Sequence, residues 1–263
     1  MKLEGARVLL TGATGGLGQA IARALAQRGA SLVLTGRRAD VLQPLADEIG
    51  GRAIAADLSL VDAPARLLEE AGEVDVLVAN AGIPGSGKLT SFTVEEIDRA
   101  LTVNLRAPML LAHGLIDSMI ERGGGHLLFM SSLSGRAGAP RSSVYSATKF
   151  GLRGFALALR EDLAPKGVGV SVVLPGFIRD AGMFADSGGK LPPYVGTKRP
   201  EDVARAVVKA IEDNRAELDV APLPLRAGAI LAGLAPGPVG AVQRRLGAAK
   251  TAETIVRSQT DKR

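Results

Sequence analysis

Apolar positions along the chain alternate between two patterns. Short apolar runs bounded by glycine or polar residues are typical of buried strands, and they occupy residues 8–10, 31–35, 53–56, 74–79, 126–130, 168–174 and 218–221. Between these runs, apolar residues recur every three or four positions, which places them on one face of a helix. Strands that alternate with helices predict right-handed βαβ units. We therefore expect the α/β class, with a doubly wound, mostly parallel sheet covered by helices on both faces.

This alternation continues to residue 221 without a linker, which predicts a single domain over residues 1–221. Residues 177–197 interrupt it with glycines and prolines. Loops of this length in a compact domain are usually functional, so we expect a lid over a substrate site there. Residues 222–263 follow the last predicted strand, and their apolar positions predict a helical tail that is divided near Pro236.

Charge and composition exclude several classes of function. The whole chain carries a net charge of +5, and residues 222–263 alone hold seven Lys/Arg against two Asp/Glu. The remainder is neutral, so we expect no nucleic-acid-binding face on the main domain. The chain has no cysteine, which excludes disulfides, zinc–thiolate sites and thiol catalysis. We expect a cytoplasmic protein, because no stretch is suited to span a membrane and no signal peptide precedes the first strand.

A glycine-rich segment, T-G-A-T-G-G-L-G at residues 11–18, follows the first strand. Strand, glycine turn and helix are the context of a dinucleotide-binding site, where backbone N–H groups face the phosphates. An ordinary tight turn is the alternative, and the glycines fit two spacings, 12/16/18 and 12/15/18. The residues expected to bind the cofactor here are Gly12, Thr14, Gly15, Gly16, Leu17 and Gly18.

The end of the second strand bears on the choice of cofactor. An acid there binds the ribose 2′-hydroxyl of NAD, whereas an Arg accommodates the 2′-phosphate of NADP. Gly36 occupies the acidic position and Arg37 follows, so NADP(H) is favoured over NAD(H), unless Arg37 is merely a solvated residue at a helix start. After the third strand, Asp57 and Leu58 are expected at the adenine, although Asp57 could instead cap a helix over residues 60–71.

Polar residues at later strand ends and on helices complete the candidate site. Asn80, Ala81 and Gly82 follow the fourth strand, where small residues let the backbone approach a cofactor. Asn104 lies within a helical pattern, where asparagine is unfavourable, which indicates a specific role. The two histidines, His113 and His126, are interpreted as structural or surface residues.

Ser132, Tyr145 and Lys149 are the candidate catalytic residues. Tyr145 and Lys149 are four positions apart on a predicted helix and so share a face. An ammonium beside a phenol should lower the pKa of the phenol from about 10. Such a tyrosine can exchange a proton with a substrate oxygen that Ser132 also contacts, while a nicotinamide carries the hydride. The alternative is a solvated helix face.

These motifs together resemble those of the classical short-chain dehydrogenases/reductases over residues 5–221. The resemblance covers the turn at 11–18, the N-A-G of residues 80–82, Ser132 thirteen residues before the tyrosine, and the Y-x-x-x-K of residues 145–149. It also covers the Pro175-Gly176 pair after the sixth strand. The motifs occur in the family's order, which favours the 12/16/18 glycine spacing.

The resemblance implies a Rossmann-type fold and a tetrad of Asn104, Ser132, Tyr145 and Lys149. Tyr145 would be the acid/base, Lys149 would also hold the nicotinamide ribose, and Asn104 would position a water that relays protons to Lys149. Pro175, Gly176 and Ile178 would lie near the nicotinamide. The family also implies a homodimer or homotetramer formed through helices around residues 104–122 and 143–164.

The chain departs from the family pattern at three positions. Ala79 replaces the first Asn of N-N-A-G, and Gly15 replaces a basic residue that NADP-dependent members often carry. Asp180 stands where a threonine commonly contacts the nicotinamide amide.

The expected function is the interconversion of an alcohol and a carbonyl compound with NADP(H). An apolar substrate is expected from the apolar residues of the lid, namely Phe177, Ile178, Met183, Phe184, Leu191 and Tyr194. The alternatives are a non-catalytic NADP(H)-binding redox sensor and a membrane-surface adaptor. Apolar residues beside cations in 222–263 are compatible with peripheral contact to an anionic membrane, or with packing on the domain or a neighbouring subunit.

Overall fold

The computed structural model describes residues 1–185 and 195–245. Within them, seven strands form one parallel sheet in the order β3-β2-β1-β4-β5-β6-β7. The strands are β1 Arg7–Thr11, β2 Ser31–Gly36, β3 Arg52–Ala55, β4 Val76–Ala79, β5 Gly125–Met130, β6 Val168–Pro175 and β7 Glu217–Val220. The predicted α/β class and doubly wound sheet are therefore confirmed, with strand bounds that differ by a few residues at most.

The helices between the strands also follow the predicted alternation. They are α1 Gly16–Ala26, α2 Ala39–Ile49, α3 Ala63–Ala71, α4 Val94–Leu101, α5 Ala107–Glu121, α6 Ser143–Leu163, α7 Gly182–Ala185, α8 Pro200–Glu212, α9 Leu223–Leu234 and α10 Pro236–Arg245. None of the helices in the described ranges has both the length and the apolarity needed to cross a bilayer.

Hydrophobic packing covers both faces of the sheet. On one face, β1 and its neighbours pack against α1, α2 and α8 through residues such as Ile21, Leu42 and Val207. On the other face, the core is formed with α3, α5 and α6 through residues such as Leu67 and Leu111. The central strands are thus buried on both sides, as parallel strands require.

The helical segment before and after Asn104 is continuous, although a break near Pro108 is expected from the sequence. A π-helical turn at Thr102–Arg106 joins α4 to α5. Pro108 lies in the first turn of α5, where the lack of an N–H is tolerated. Turns of this kind are often found at functional sites, because the extra residue redirects the side chains.

The two edges of the sheet differ in what they carry. The strand order reverses between β1 and β4, which opens a crevice at the carboxyl ends of the strands. We call this side the carboxyl edge, and the candidate residues follow the strand ends there. The opposite side, the amino edge, carries an ion pair between Arg7 and Asp75 and a buried His126 whose Nε2 lies 2.9 Å from the hydroxyl oxygen of Ser171.

Candidate active site

A cleft of about 500 Å³ opens at the carboxyl edge, a size typical of ligand sites. It brings together twelve predicted cofactor-binding residues: Gly12, Thr14, Gly15, Gly16, Leu17, Gly18, Arg37, Asp57, Leu58, Asn80, Ala81 and Gly82. Further residues that line the cleft are Thr35, Gly36, Arg38, Ala56, Ile83, Pro84, Arg99, Val103, Gly182 and Met183, of which the sequence links Gly36, Arg38 and Met183 to the cofactor or the substrate. Arg99 and Val103 precede Asn104 on the same helical segment, a signal that could have identified them.

The glycine turn leaves no room for side chains at two positions. Gly12 has a φ of +69°, and a Cβ there would lie 2.7 Å from the Cα of Ala81. A Cβ on Gly18 would lie 2.2 Å from the carbonyl oxygen of Gly12. The first turn of α1 receives no side-chain cap from Gly15, so backbone alone faces the cleft there. This cradle fits the pyrophosphate of a dinucleotide.

Thr11 and Asn80 lock the glycine turn to the end of β4. The Thr11 hydroxyl accepts hydrogen bonds from the backbone N–H groups of Asn80 and Ala81, at 3.1 and 3.0 Å. The Asn80 amide donates to the carbonyls of Thr11 and Gly12, at 3.0 and 3.2 Å. Asn80 therefore supports the turn with its side chain. The role of Thr11 was missed, although a buried threonine next to a glycine turn is a usable signal.

The end of β2 is shaped around Thr14. A Cβ on Gly36 would lie 2.7 Å from the methyl carbon of Thr14, so a carboxylate at this position would displace Thr14. Arg38 donates to the Thr14 carbonyl at 2.6 Å and thus supports the turn. Arg37 lines the cleft beside Asp57.

Asp57 lies in the cleft and does not cap the following helix. Its carboxylate accepts from the N–H of Ser59 at 3.0 Å, and α3 begins only at Ala63. Burial raises the pKa of Asp57, but the hydrogen bonds from Ser59 and the nearby guanidinium groups of Arg37 and Arg99 lower it to a value below its usual range. The carboxylate is therefore charged at neutral pH.

Asn104 is fully buried in the π-helical turn and is bound to the strand-end segment opposite. Its Oδ1 accepts from the N–H of Ile83 at 2.8 Å, and its Nδ2 donates to the carbonyl of Ile83 at 3.0 Å. Nδ2 also lies 3.4 Å from the hydroxyl of Thr148 on α6. A Cβ built on Gly82 would lie 3.3 Å from Asn104 Oδ1 and 3.6 Å from Lys149 Nζ, so both groups lie directly behind Gly82, which itself lines the cleft.

Ser132, Tyr145 and Lys149 come together beyond Gly82. Ser132 follows β5, and its hydroxyl lies close enough to the phenol of Tyr145 to lower the pKa of that phenol, while it donates to the carbonyl of Pro175 at 3.4 Å. Lys149 is 3% exposed, with Nζ donating to the carbonyl of Met130 at 2.9 Å and lying 5.7 Å from the Tyr145 ring centre. This is the constellation that the spacing predicts.

The expected direction of the Tyr145 pKa was wrong for the protein without a cofactor. Burial raises the pKa of Tyr145 to about 12, although the nearby Ser132 hydroxyl lowers it in part. Burial also lowers the pKa of Lys149 to about 8. The ammonium is bound to Met130, and desolvation of the phenolate outweighs the favourable interactions.

The end of β6 and the segment after it differ from expectation at three residues. The Ile178 side chain is 4% exposed within the core, and its backbone forms a bridge with Lys198, so it does not line the cleft as an apolar lid residue. Gly176 packs against Ala221, Leu225 and Leu133 and, like Pro175, is not part of the cleft lining.

The described part of the lid lies over the glycine turn. A Cβ on Gly16 would lie 2.4 Å from the Cβ of Ala181. Asp180 has a φ of +70° and an exposed side chain. The rings of Phe177 and Phe184 are 5.0 Å apart. The remaining apolar lid residues, Leu191 and Tyr194, lie outside the described residues.

A comparison with known proteins identifies the family. Residues 6–190 match the family model for short chain dehydrogenase. The chain belongs to the short-chain dehydrogenase family. The ketoacyl reductase HetN of Nostoc sp. is 40% identical over 227 residues, which cover 83% of this chain and 79% of that protein.

Solved structures agree with this membership. One short chain dehydrogenase/reductase family protein has a TM-score of 0.76 and 33% identity, covering 84% of this chain and 97% of that chain. The 3-ketoacyl-(acyl-carrier-protein) reductase of Brucella melitensis, complexed with NADH, has a TM-score of 0.75 and 30% identity over 83% and 97% of the chains. This short-chain dehydrogenase is accordingly an NAD(P)-dependent oxidoreductase that acts on a small molecule.

Proposed function

We propose that this short-chain dehydrogenase interconverts an alcohol and a carbonyl compound with NADP(H), and that Tyr145 is the acid/base. The observation that carries the proposal is the placement of the Tyr145 phenol near the Ser132 hydroxyl, with the Nζ of the buried Lys149 5.7 Å from the Tyr145 ring centre and next to Gly82 of the cleft. The nicotinamide supplies the hydride when it is bound. The chain supplies position and a proton.

The proton chemistry follows from Tyr145 and Lys149. With a pKa of about 12, the phenol of Tyr145 is protonated at neutral pH and can donate to the developing alkoxide of a carbonyl substrate. The Ser132 hydroxyl lies near the phenol of Tyr145 and would orient the oxygen of the substrate carbonyl. Lys149, with a pKa of about 8, exchanges a proton close to neutral pH and can reload the site. The family role of Asn104, positioning a relay water, is part of this proposal.

NADP(H) is favoured by the geometry at the end of β2. Gly36 packs against Thr14, which leaves no space for an acidic side chain, and Arg37 faces the cleft beside Asp57. A guanidinium group in this place suits a 2′-phosphate. Because the Brucella melitensis relative was solved with NADH, both cofactors belong in every binding assay.

The substrate is proposed to be an apolar carbonyl compound. Met183 lines the cleft, and Phe177 packs on Phe184 next to it. HetN and the Brucella melitensis relative are named as ketoacyl reductases, so 3-oxoacyl thioesters are the first substrates to test.

The test is oxidation of NADPH, followed by absorbance, with 3-oxoacyl thioesters of increasing chain length and with small ketones and aldehydes. We expect turnover that increases with chain length and is lost in Tyr145→Phe. Binding of NADPH without turnover of any substrate would instead support the redox-sensor alternative.

Assembly is proposed to use the outer faces of α5 and α6. Met109 and Phe150 on these helices are 37% and 42% exposed, so each helix presents a large apolar side chain that a second copy of the chain could cover. We expect a homodimer or homotetramer by light scattering at micromolar concentration, and a monomeric mass would contradict this assembly.

The tail is proposed to contact an anionic membrane surface from the cytoplasm. α9 buries Ala229 and Ala232 but exposes the larger Leu223, Ile230, Leu231 and Leu234, which recur at helical spacing. No acidic residue lies between 222 and 245, and residues 246–263 lie outside the described part of the chain. Sedimentation with anionic liposomes tests the proposal, with truncation after residue 221 as the comparison. Retention in the supernatant at low salt would exclude it.

A further inference from the structure

Two carboxylates of β7 pair with arginines from three other elements, of which Arg226 of α9 lies 3.8 Å from Asp219. Arg136 Nη2 donates to Glu217 Oε2 at 3.1 Å and to Asp219 Oδ1 at 3.0 Å. Arg153 of α6 binds the same Glu217 through Nε and through Nη2, the latter at 3.2 Å. We call these four residues, Arg136, Arg153, Glu217 and Asp219, the β7 ion cluster.

The β7 ion cluster is largely shielded from water. The side chains of Arg136 and Asp219 are 15% and 6% exposed. Gly233 of α9 packs on the backbone of Arg136, because a Cβ built on Gly233 would lie 3.0 Å from the carbonyl oxygen of Arg136. Shielded ion pairs stabilise a fold little compared with apolar packing, because desolvation offsets their attraction. These ion pairs instead fix the relative positions of the elements that they join.

On one side, the cluster holds the turn that follows Ser132. Arg136 ends a short 3₁₀ turn in which the N–H of Gly135 donates to the Ser132 carbonyl at 2.8 Å. The N–H of Ser134 donates to the Ser132 hydroxyl oxygen at 3.1 Å. Within this turn, a Cβ on Gly135 would lie 2.6 Å from the carbonyl oxygen of Lys149, so the turn packs closely on α6. Arg136, at the end of the turn, binds both carboxylates of β7.

On the other side, the cluster holds the helix that carries Tyr145 and Lys149. Arg153 lies one helical turn beyond Lys149 on α6. The Glu217 carboxylate stays charged, because Arg153 and Arg136 lower its pKa below the usual range although burial raises it. One carboxylate thus bridges the Ser132 turn and the α6 helix.

We propose that Glu217 is a positioning residue for the reaction, because binding Arg136 and Arg153 together fixes the Ser132 turn relative to the Tyr145 and Lys149 face of α6. This proposal rests on the proposed function, in which those three residues carry the chemistry. Glu217 itself is not among the residues that line the cleft.

The test is Glu217→Gln in the full-length chain. We expect kcat to fall about tenfold, because a small misplacement of catalytic groups is costly. The KM for NADPH should change less than about twofold, since most residues that line the cleft belong to the ends of β1 to β4 or directly follow them, away from the cluster. A purely structural role would lower the melting temperature without this split between kcat and KM.

Asp75→Asn is the matched control. The Asp75 side chain is 23% exposed, close to the 22% of Glu217, and it lies between Arg7 and Arg122 at the amino edge. We expect a lower melting temperature and an unchanged kcat. If Glu217→Gln behaves in the same way as this control, the positioning role is wrong.

A double-mutant cycle with Ser132→Ala separates positioning from general damage. In the Ser132→Ala background, Glu217→Gln should cost little further kcat, because the two changes act through one group. If the kcat losses of the two single variants are fully additive in the double variant, the proposal is wrong. If Tyr145→Phe keeps full activity, the proposed function fails instead, and this outcome is distinct from the failure of the cycle.

Arg153→Lys provides a second variant in case Glu217→Gln does not fold. The lysine keeps a charge for Glu217 but loses the fork-like geometry of the guanidinium. A lower kcat with unchanged KM for NADPH supports the positioning role, and an unchanged kcat contradicts it.

Discussion

The two edges of the sheet both carry polar groups with perturbed pKa values, and the cleft described above opens at one of them. At the carboxyl edge, burial lowers the pKa of Lys149 to about 8 and raises that of Tyr145 to about 12, and Lys149 lies next to Gly82, which lines the cleft. At the amino edge, burial lowers the pKa of His126 to about 3, and its ring is bonded to Ser171. A perturbed pKa therefore indicates a site only where the group also lies beside a cavity.

This comparison predicts that changes at the carboxyl edge reduce activity and that changes at the amino edge reduce stability. Tyr145→Phe should give the largest effect. We expect kcat to fall by about 10²- to 10⁴-fold, because positioned acid/base catalysis contributes that much. The free energy of unfolding should change little.

Ser171→Ala is the counterpart at the amino edge. It removes a buried hydroxyl that lies 2.6 Å from the carbonyl oxygen of Arg215. The free energy of unfolding in urea should fall by about 1–3 kcal/mol, and kcat should be unchanged.

The outcome that would contradict the catalytic assignment concerns Tyr145→Phe. If this variant retains more than about a tenth of the wild-type kcat, far outside the expected 10²- to 10⁴-fold loss, the assignment is wrong.

The next largest effect is expected in the glycine turn. Gly18→Ala places a Cβ 2.2 Å from the Gly12 carbonyl oxygen, so the turn must shift. We expect NADPH affinity to fall by about 100-fold, since a shift of 1 Å can cost that much. Gly15→Ala is the control, because its nearest neighbour atom would be 3.6 Å away. Equal losses in the two variants, measured by fluorescence titration, would contradict the steric argument.

A smaller and more selective effect is expected at Arg37. Arg37→Ala should weaken NADPH binding by about 1.5–3 kcal/mol, the value of a charge-assisted hydrogen bond, and leave NADH binding nearly unchanged. Arg38→Ala, which loses the contact to Thr14, should weaken both cofactors to a similar extent. The same loss for NADPH and NADH in Arg37→Ala would remove the basis for the NADP(H) preference.

The smallest expected effect is a pH dependence of stability that comes from His126 at the amino edge. His126 is neutral in the fold down to a pH of about 3, whereas in the unfolded chain it binds a proton below about 6.5. The contribution of His126 to the free energy of unfolding is fully present above pH 6.5 and is lost as the pH falls toward 3. The loss should reach about 1.4 kcal/mol at pH 5.5.

His126→Gln checks this dependence. Urea unfolding at pH 7.5 and pH 5.5 should give a smaller difference in the free energy of unfolding for the variant than for the wild type. Equal differences in the two proteins would show that His126 does not contribute, and kcat should be unchanged in either case.

The cofactor half of the site was predictable because it depends on backbone. Gly12 and Gly18 are required by a positive φ and by close packing, so the residue types themselves report the turn. The order of strands and helices follows from apolar periodicity in the same local way. Ser132, Tyr145 and Lys149 came from spacing and from a family resemblance.

The rest of the site depends on contacts between residues that are far apart in the sequence, and such contacts leave no local sequence pattern. The bond between Thr11 and Asn80 spans 69 residues, and that between Arg136 and Glu217 spans 81. The direction of the Tyr145 pKa was wrong because burial is not visible in a four-residue spacing. Ile178 was assigned to the cofactor by motif position, whereas its side chain belongs to the core.

The place of Glu217 on the last strand has a consequence for synthesis of the chain. The groups that form the glycine turn and its lock to β4 have all been translated by residue 82, whereas the carboxylate that bridges the Ser132 turn and α6 is added only at residue 217. At about 5–20 residues per second, the ribosome needs about 7 to 27 s to cover that interval. A nascent chain can thus complete its dinucleotide cradle well before its catalytic groups are fixed. Release of an active enzyme then awaits the C-terminal strand.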